Sequence, residues 1–511
     1  MPNPVRKLTS LFAPHQRALR AYRGWVERLL LDPHAVLLEQ QNGLTLDGSV
    51  YCILRELLAD PRYAGFDVRF VVNEAHAESF PHELASRGLA VRTVVRGTTE
   101  YMRALATSTV LVTDNALPPY YVKRPGQTLL NTWHGIPLKT LGRSEVLGAI
   151  NVGNVQRNLA LADFLLMPNP VMAERFVRDY MLRGLSQGTV VPLGYPRNEA
   201  FLGARGAAGD GYRRYAWLPT FRGVGDQRGQ GASALVAMLD ELDQLLRDDE
   251  TLYLKLHLVE QQQVDLARYR HILPSPTDCE LYDFLATCDV LVTDYSSVLF
   301  DFPLGGGKVV LFPYDEETYL AERGLYDPLD SLPFPQVQSV EELVEELRAP
   351  IGYDNEAFVR TCWPSPTEGA AKALCERLLL DGAPLAGEHP VARAEKPVAL
   401  VYSELGGNLE ALHGELLKLS ETHLPLLACP WGKGRGHERF LYELPADKVA
   451  YVPLKGELLS TLPEKALVKL GKGAGVFALD RRRAFGDATF DQVIIHDGSD
   501  RRWIGLIRAC E

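Results

Sequence analysis

Short apolar runs rich in β-branched residues alternate with segments of helical periodicity along most of this chain, and that alternation constrains its fold more than any other feature. Ala35 to Gln40 leads into Asn42-Gly43, apolar residues at 50, 53, 54, 57 and 58 mark a helix, and Val68 to Val72 reads as the next strand. Strand, helix, strand is a βαβ unit, whose two strands must run parallel. The pattern continues through strands at Val91 to Val95, Thr109 to Thr113 and Thr128 to Thr132, then a helical stretch over 147–162. A strand at Phe164 to Met167, a helix over 170–182 and a strand at Thr189 to Leu193 close this half. Continuous apolar runs predict strands buried on both faces, hence a mostly parallel, doubly wound sheet.

A Gly-rich polar bridge from Leu202 to Gly211 interrupts the pattern, which then restarts with strands at Tyr215 to Leu218, Thr251 to His257, Val290 to Thr293 and Val309 to Phe312. Helices are expected over 232–247, 339–348 and 367–379. At 511 residues the chain exceeds one ordinary core. Five segments are expected: a basic amphipathic N-terminal stretch over 1–34, Rossmann-like units over 35–202 and 212–380, a Pro- and Ala-rich linker over 381–397, and a smaller α/β domain over 398–511. The last segment faintly echoes the first: residues 398–408 resemble 36–43, and Ile494-Ile495-His496-Asp497-Gly498 resembles Thr132-Trp133-His134-Gly135. Such an echo predicts either an incomplete repeat or a generic accessory domain.

Charge and cysteine content narrow the function classes. A net charge of −11 argues against general nucleic-acid binding, so any anion site must be local. The seven Cys are scattered without a C-x-x-C spacing, which predicts reduced thiols and neither a disulfide framework nor a zinc site. No run of about eighteen apolar residues is present, so a cytoplasmic protein is expected. Residues 1–30 place Arg6, Lys7, Arg17, Arg20, Arg23 and Arg28 among Leu11, Phe12, Leu19, Tyr22, Trp25, Leu29 and Leu30. Such a segment either lies on the inner face of an anionic membrane or packs as an ordinary helix.

The stretch Val290 to Asp301 runs from a buried strand through Asp294 into Ser296 and Ser297, which open a helix. Backbone N–H groups at a helix start lack intrahelical partners, so a phosphate fits there; helix capping by the same side chains is the alternative use. Strand Thr128 to Thr132 runs into Trp133-His134-Gly135-Ile136-Pro137-Leu138-Lys139, where Gly and Pro stop regular structure and leave His134 on a loop. A neutral imidazole can take a hydroxyl proton near neutral pH, which makes His134 a candidate base beside Lys139. His257 ends another strand with Lys255 on the same face, and Pro219-Thr220-Phe221-Arg222 adds a hydroxyl and a guanidinium suited to phosphate oxygens.

Together these motifs, with Leu141-Gly142, Pro168-Asn169-Pro170 and Gly194-Tyr195-Pro196-Arg197-Asn198, occur in the same order in CDP-glycerol glycerophosphotransferases of teichoic-acid synthesis, a family this chain resembles from about 36 to 380. The resemblance implies a GT-B-like α/β architecture, with an acceptor-side unit and a CDP-alcohol-binding unit facing across a cleft. It implies His134 as base and His257 as a second catalytic histidine. Thr220, Arg222, Asp294, Ser296, Ser297 and Glu368 are expected on the donor side, and Asn42, Gly43, Gly135 and Lys139 on the acceptor side. The implied reaction transfers a polyol phosphate, glycerol phosphate first, from a CDP-activated donor to a lipid-linked or polymeric acceptor, releasing CMP. No tightly bound cofactor is expected; a loosely held Mg²⁺ stays open. Leu258 stands where the family has Pro, Ile136 where it has Thr or Ser, and Phe334 where it has Gly, so donor and acceptor identity are less constrained than the fold. A nucleotide-sugar glycosyltransferase and a catalytically silent polymer- or membrane-binding subunit are the two other readings.

Overall fold

The structure, a computed structural model, describes residues 14–145, 152–203, 212–220, 228–256, 264–314, 316, 319, 324–380, 382–392, 394–431, 434–454 and 477–511. Its strands form three sheets. The first contains β1 (Asp32–Glu39), β2 (Asp67–Val72), β3 (Arg92–Val95), β4 (Ser108–Thr113), β5 (Thr128–Asn131), β6 (Phe164–Leu166) and β7 (Thr189–Val191). The second contains β8 (Arg213–Leu218), β9 (Glu250–Leu254), β10 (Ile272–Pro274), β11 (Val290–Thr293) and β12 (Lys308–Leu311), in the order β10-β9-β8-β11-β12. A short strand from the expected linker, β13 (His389–Pro390), pairs antiparallel with β7, giving the first sheet the order β13-β7-β6-β5-β4-β1-β2-β3. The third contains β14 (Val398–Tyr402), β15 (Leu424–Pro430), β16 (Ala450–Leu454) and β17 (Gln492–Ile495), ordered β16-β15-β14-β17.

All pairings but that of β13 are parallel, as buried-run strands joined by helices require. β11 and β14 are buried along their whole length, which explains their lack of alternation. The expected strand at Thr251 to His257 ends at Leu254, so the alternation that was to align Lys255 with His257 does not extend that far. A helix not foreseen in the sequence, Asn355–Cys362, packs Phe358 against Phe300 and Phe334. Helix Ala370–Leu379 returns to the first sheet's layer, where it packs on helix Gly48–Ala59 and Glu376 pairs with Arg62 at 2.8 Å.

Helix Pro14–Arg28 packs on helix Thr99–Thr107, with Tyr22 and Val26 buried and the Tyr22 hydroxyl accepting the Val122 N–H at 3.0 Å. Its apolar face therefore covers the core, the ordinary-helix alternative for this segment. Residues 1–13 lie outside the described ones. No helix among the described residues is long and apolar enough to cross a membrane.

In each sheet one strand lies between two parallel neighbours whose connections leave in opposite directions, the switch point where open α/β sheets bind ligands. These strands are β1 between β2 and β4, β8 between β9 and β11, and β14 between β15 and β17. The same staple closes all three. Asp114 accepts the Gln41 N–H at 2.8 Å, Asp294 accepts that of Thr220 at 2.9 Å, and Asp497 accepts that of Glu404 at 2.6 Å. β14 thus holds in its sheet the place of β1, as the echo suggested. The second half of the echo is displaced, because β17, which leads into His496, stands beside β14 where β4 stands beside β1, and not at the place of β5. The third sheet leans on the first: Gln156 Nε2 donates to the Tyr451 carbonyl at 2.9 Å, and Arg143 Nη2 to that of Leu444 at 2.5 Å.

Candidate functional site

The carboxyl end of β1 turns through three successive residues with positive φ, Gln41 (43°), Asn42 (58°) and Gly43 (77°). Glycine is required at the third, since a Cβ there would stand 2.5 Å from the Asn73 amide nitrogen. Asp114 holds the turn through the Gln41 backbone N–H, Gln41 Nε2 at 3.0 Å and a short bond from Gln40 Nε2. Burial, opposed by the bonds from Gln41 and aided by the nearby Asp47 charge, pushes the Asp114 carboxyl up to about 7. Gly43 thereby packs against the end of β2, where its carbonyl accepts the Asn73 N–H at 2.8 Å.

β5 ends at Asn131, and two residues later Trp133 adopts φ 52°, a left-handed conformation that costs an aromatic residue about 1–3 kcal/mol. Two features hold it there. Asn131 Oδ1 accepts the Trp133 N–H at 2.9 Å, and the indole is buried edge-on to Phe176 with ring centroids 4.8 Å apart. The result is to turn His134 back over β4, where its Nδ1 lies 2.9 Å from the Asp114 carbonyl oxygen. A carbonyl can only accept, so Nδ1 carries the proton and Nε2 carries the lone pair. Burial, opposed by that bond and reinforced by the Arg197 charge, pushes the imidazole down to about 4. At neutral pH His134 is an uncharged, oriented acceptor for a proton.

Gly135 brings this loop onto the second sheet. A Cβ on Gly135 would stand 2.4 Å from Ser297 Oγ and 3.2 Å from Arg197 Nη2. Beneath it Arg197 pairs with Asp301 at 2.7 Å, both fully enclosed, and Asn198 and Tyr282 also donate to Asp301. The guanidinium is sandwiched between the Tyr195 and Tyr282 rings at 4.7 and 4.8 Å. Further along the loop, Thr140 N–H donates to the Gly324 carbonyl at 2.9 Å, and Lys139 Nζ sits 5.6 Å over the Tyr319 ring, which stacks on Tyr295. Residues 133–140 thus span from the end of β5 to the 294–326 region, joining His134, Gly135 and Lys139 to Ser297.

On the second sheet the expected donor residues divide. The Asp294 carboxylate is buried and serves the Thr220 N–H at 2.9 and 3.0 Å, so it ties β8 to β11. Ser296 and Ser297 are half-buried, Ser297 beside Gly135, and the helix they were expected to open is one turn, Val298–Asp301, followed by a 3₁₀ turn to Gly305. Pro303 and the glycines at 305–307 end it. Ser297 makes no side-chain capping bond, and four residues build little macrodipole, so the two hydroxyls stand on a tight turn. Glu368 is exposed, and the start of helix Ala370–Leu379 is instead met by Glu199, which accepts the Ala371 N–H at 2.9 Å. His257 and Arg222 lie outside the described residues. Lys255, two positions before His257, reaches Asp47 at 3.7 Å. Glu280 also joins the two sheets' units, accepting the Gly48 N–H at 2.8 Å, and burial followed by the Asp47 charge pushes it up to about 7. Among the described residues no group of three or more His, Cys, Asp or Glu side chains could hold a metal ion.

Sequence reasoning assigned no role to Asp114, Arg197, Asp301 or Glu280. A signal for Asp114 was present, because Leu111-Val112-Thr113-Asp114 repeats as Leu291-Val292-Thr293-Asp294 and both aspartates perform the same staple. Arg197 and Asp301 stood inside quoted motifs, but nothing local tells that they meet.

Comparison with known proteins gives likenesses of sequence and of fold. A model of the CDP-glycerol:poly(glycerophosphate) glycerophosphotransferase family matches residues 21–357. A teichoic acid poly(glycerol phosphate) polymerase of Staphylococcus epidermidis is 27% identical over 50% of this chain and 38% of its own length. A teichoic acid glycerol-phosphate primase of Bacillus subtilis is 24% identical over 51% of this chain and 71% of its own. The solved structure of the wall teichoic acid polymerase TagF superposes with a TM-score of 0.62 at 21% identity, covering 73% of this chain and 95% of that one, a likeness of fold.

Proposed function

Because this chain belongs to the CDP-glycerol:poly(glycerophosphate) glycerophosphotransferase family, we propose that it transfers glycerol phosphate from CDP-glycerol to an acceptor hydroxyl in the synthesis of a teichoic-acid-like polymer. The carrying observation is that His134, neutral and with Nδ1 committed to the Asp114 carbonyl, stands one residue from the glycine that touches Ser297. Nε2 takes the proton of the acceptor hydroxyl as the oxygen attacks the distal phosphorus. The bond from that phosphorus to the bridging oxygen breaks, CMP leaves with the electron pair, and a phosphodiester forms.

In this reading the first two sheets are the Rossmann-type halves of a GT-B-like arrangement, the first holding the acceptor and the second the donor. Ser296 and Ser297 bond the pyrophosphate, while Asp294 keeps the Thr220 backbone in place behind it. His257 and Arg222 are assigned the leaving phosphate by family resemblance alone. Polymeric or lipid-linked alcohols are the acceptors that suit the relatives' names, and third-sheet residues 398–511 form a separate unit buttressed on the first. The test is CMP release from CDP-glycerol with acceptor present: His134→Ala and His257→Ala variants with wild-type melting should lose it. A wild-type rate in either would remove that histidine from the mechanism, and hexose transfer from a UDP- or GDP-sugar without CMP release would replace the donor.

A further inference from the structure

Arg197 and Asp301 are an ion pair that stability alone does not explain. Burying two charges costs several kcal/mol of solvation, and a well-packed apolar pair is often as stable. Yet Asp301 is wholly buried and Arg197 is 4% exposed, and they lie 104 positions apart in sequence. Their surroundings are specific. Asp301 ends the single-turn helix that follows Ser297, and Asn198 donates to its other oxygen at 3.0 Å. The Arg197 guanidinium lies over the Tyr195 and Tyr282 rings, and its Nη2 stands with Ser297 Oγ and Cβ among the three atoms nearest the Cβ position of Gly135. Its Nε–H is buried without an acceptor, so the guanidinium is oriented by Asp301 and by the two rings.

We propose that the Arg197–Asp301 pair is a positioning device for the transfer: Asp301 fixes the guanidinium beneath Gly135, and this sets the separation between His134 and the Ser297 turn. The chain of contact is continuous. The pair carries the turn at one end through helix Val298–Asp301, and it supports the His134 loop at the other through Gly135. A planar, bidentate-capable cation held between rings is stiffer than a lysine ammonium, which suits a spacer. Neither residue reaches the reacting atoms; both act through His134 and Ser297, so the inference rests on the roles proposed for those two.

The experiment is a double-mutant cycle on the full chain with CDP-glycerol and an acceptor, measuring kcat and KM for CDP-glycerol alongside melting. R197Q/D301N leaves no unpaired buried charge and is the variant to rely on if either single fails to fold. The expected result is a kcat lowered about 10²-fold, the scale for a displacement of roughly 1 Å, with KM changed less than about threefold. R197Q and D301N should each lose as much as the double, and R197K, which keeps the charge opposite Asp301, should recover part of the kcat. Wild-type kcat in the double variant, losses that multiply, or a change confined to KM would overturn the inference. H134A run in parallel separates the two readings: an inactive H134A with a fully active R197Q/D301N sinks only the positioning role, while an active H134A sinks the proposed base.

Discussion

Gly135→Ala is the most direct probe of how closely the His134 loop must approach the Ser297 turn. Gly135 has φ +143°, a conformation that side-chain-bearing residues rarely adopt. The added Cβ would lie 2.4 Å from Ser297 Oγ and 2.9 Å from Ser297 Cβ, where ordinary contacts begin at 3.4 Å. Rotating the serine removes the first clash and leaves the second, so the backbone must yield as well. Strain in φ contributes about 1–3 kcal/mol and overpacking about 1–3 kcal/mol more, for a loss of roughly 2–6 kcal/mol. A shift near 1 Å between base and donor turn corresponds to about 10² in rate. CMP release from CDP-glycerol reads the rate, and the midpoint of chemical denaturation reads the stability. Ser297→Gly removes both clashing atoms, so G135A/S297G should regain the overpacking share, a coupling of about 1–3 kcal/mol, and retain the φ strain. Because Ser297 is itself assigned to the donor, that coupling is read from stability alone. Strict additivity of the two changes, or a G135A enzyme with wild-type rate, would refute the close-approach argument.

The Asp114 carboxyl, raised from an ordinary value of 3.8 to about 7, contributes stability that is fully present below 3.8 and lost as pH rises through 7. The thermal midpoint should therefore fall between about pH 4 and pH 7 and level off above, and Asp114→Asn should flatten that fall; an equally steep decline in the variant would show that the carboxyl is not its source. Glu280, raised to about 7, adds to the decline with the same sign, so Glu280→Gln should flatten a further part. Tyr22→Phe leaves the buried Val122 N–H without its acceptor and should cost about 1–3 kcal/mol; liposome co-sedimentation of the same variant should be unchanged, since the apolar face of that helix is packed inward. Gln156→Leu deletes the bond to the Tyr451 carbonyl across the seam with the third sheet and should speed proteolysis near residue 450, whereas an unchanged cleavage pattern would argue that the seam is held by its other contacts, the Arg143 bond to the Leu444 carbonyl among them.

Much of the architecture was legible because parallel strands buried on both faces must be written as continuous apolar runs. β11 was read to the residue at Val290–Thr293, and β1, β2, β4 and β5 within a few residues. The site was legible at its tips: His134 and Gly135 lie at the end of β5, and Ser296 and Ser297 beyond β11. The helix expected after Ser296 and Ser297 is present as a single turn, because Pro303 and the glycines at 305–307 end it. Glu368 is exposed, and its neighbour helix draws its anion from Glu199, a residue far away in sequence.

What the sequence by itself determined is therefore the local chemistry: which runs are strands, where loops carry a histidine or paired hydroxyls, and which family those motifs match. The tertiary structure decided the partnerships. Asp114 could be read as one more polar residue after a strand until β4 lay beside β1 and its carbonyl fixed the tautomer of His134. Arg197 and Asp301 became a spacer only when the two sheets' loops met at Gly135. Strand propensity follows from side chains a few positions apart, whereas a buried charge must find its counter-ion wherever docking of the sheets leaves room for one, and no local pattern encodes that distance.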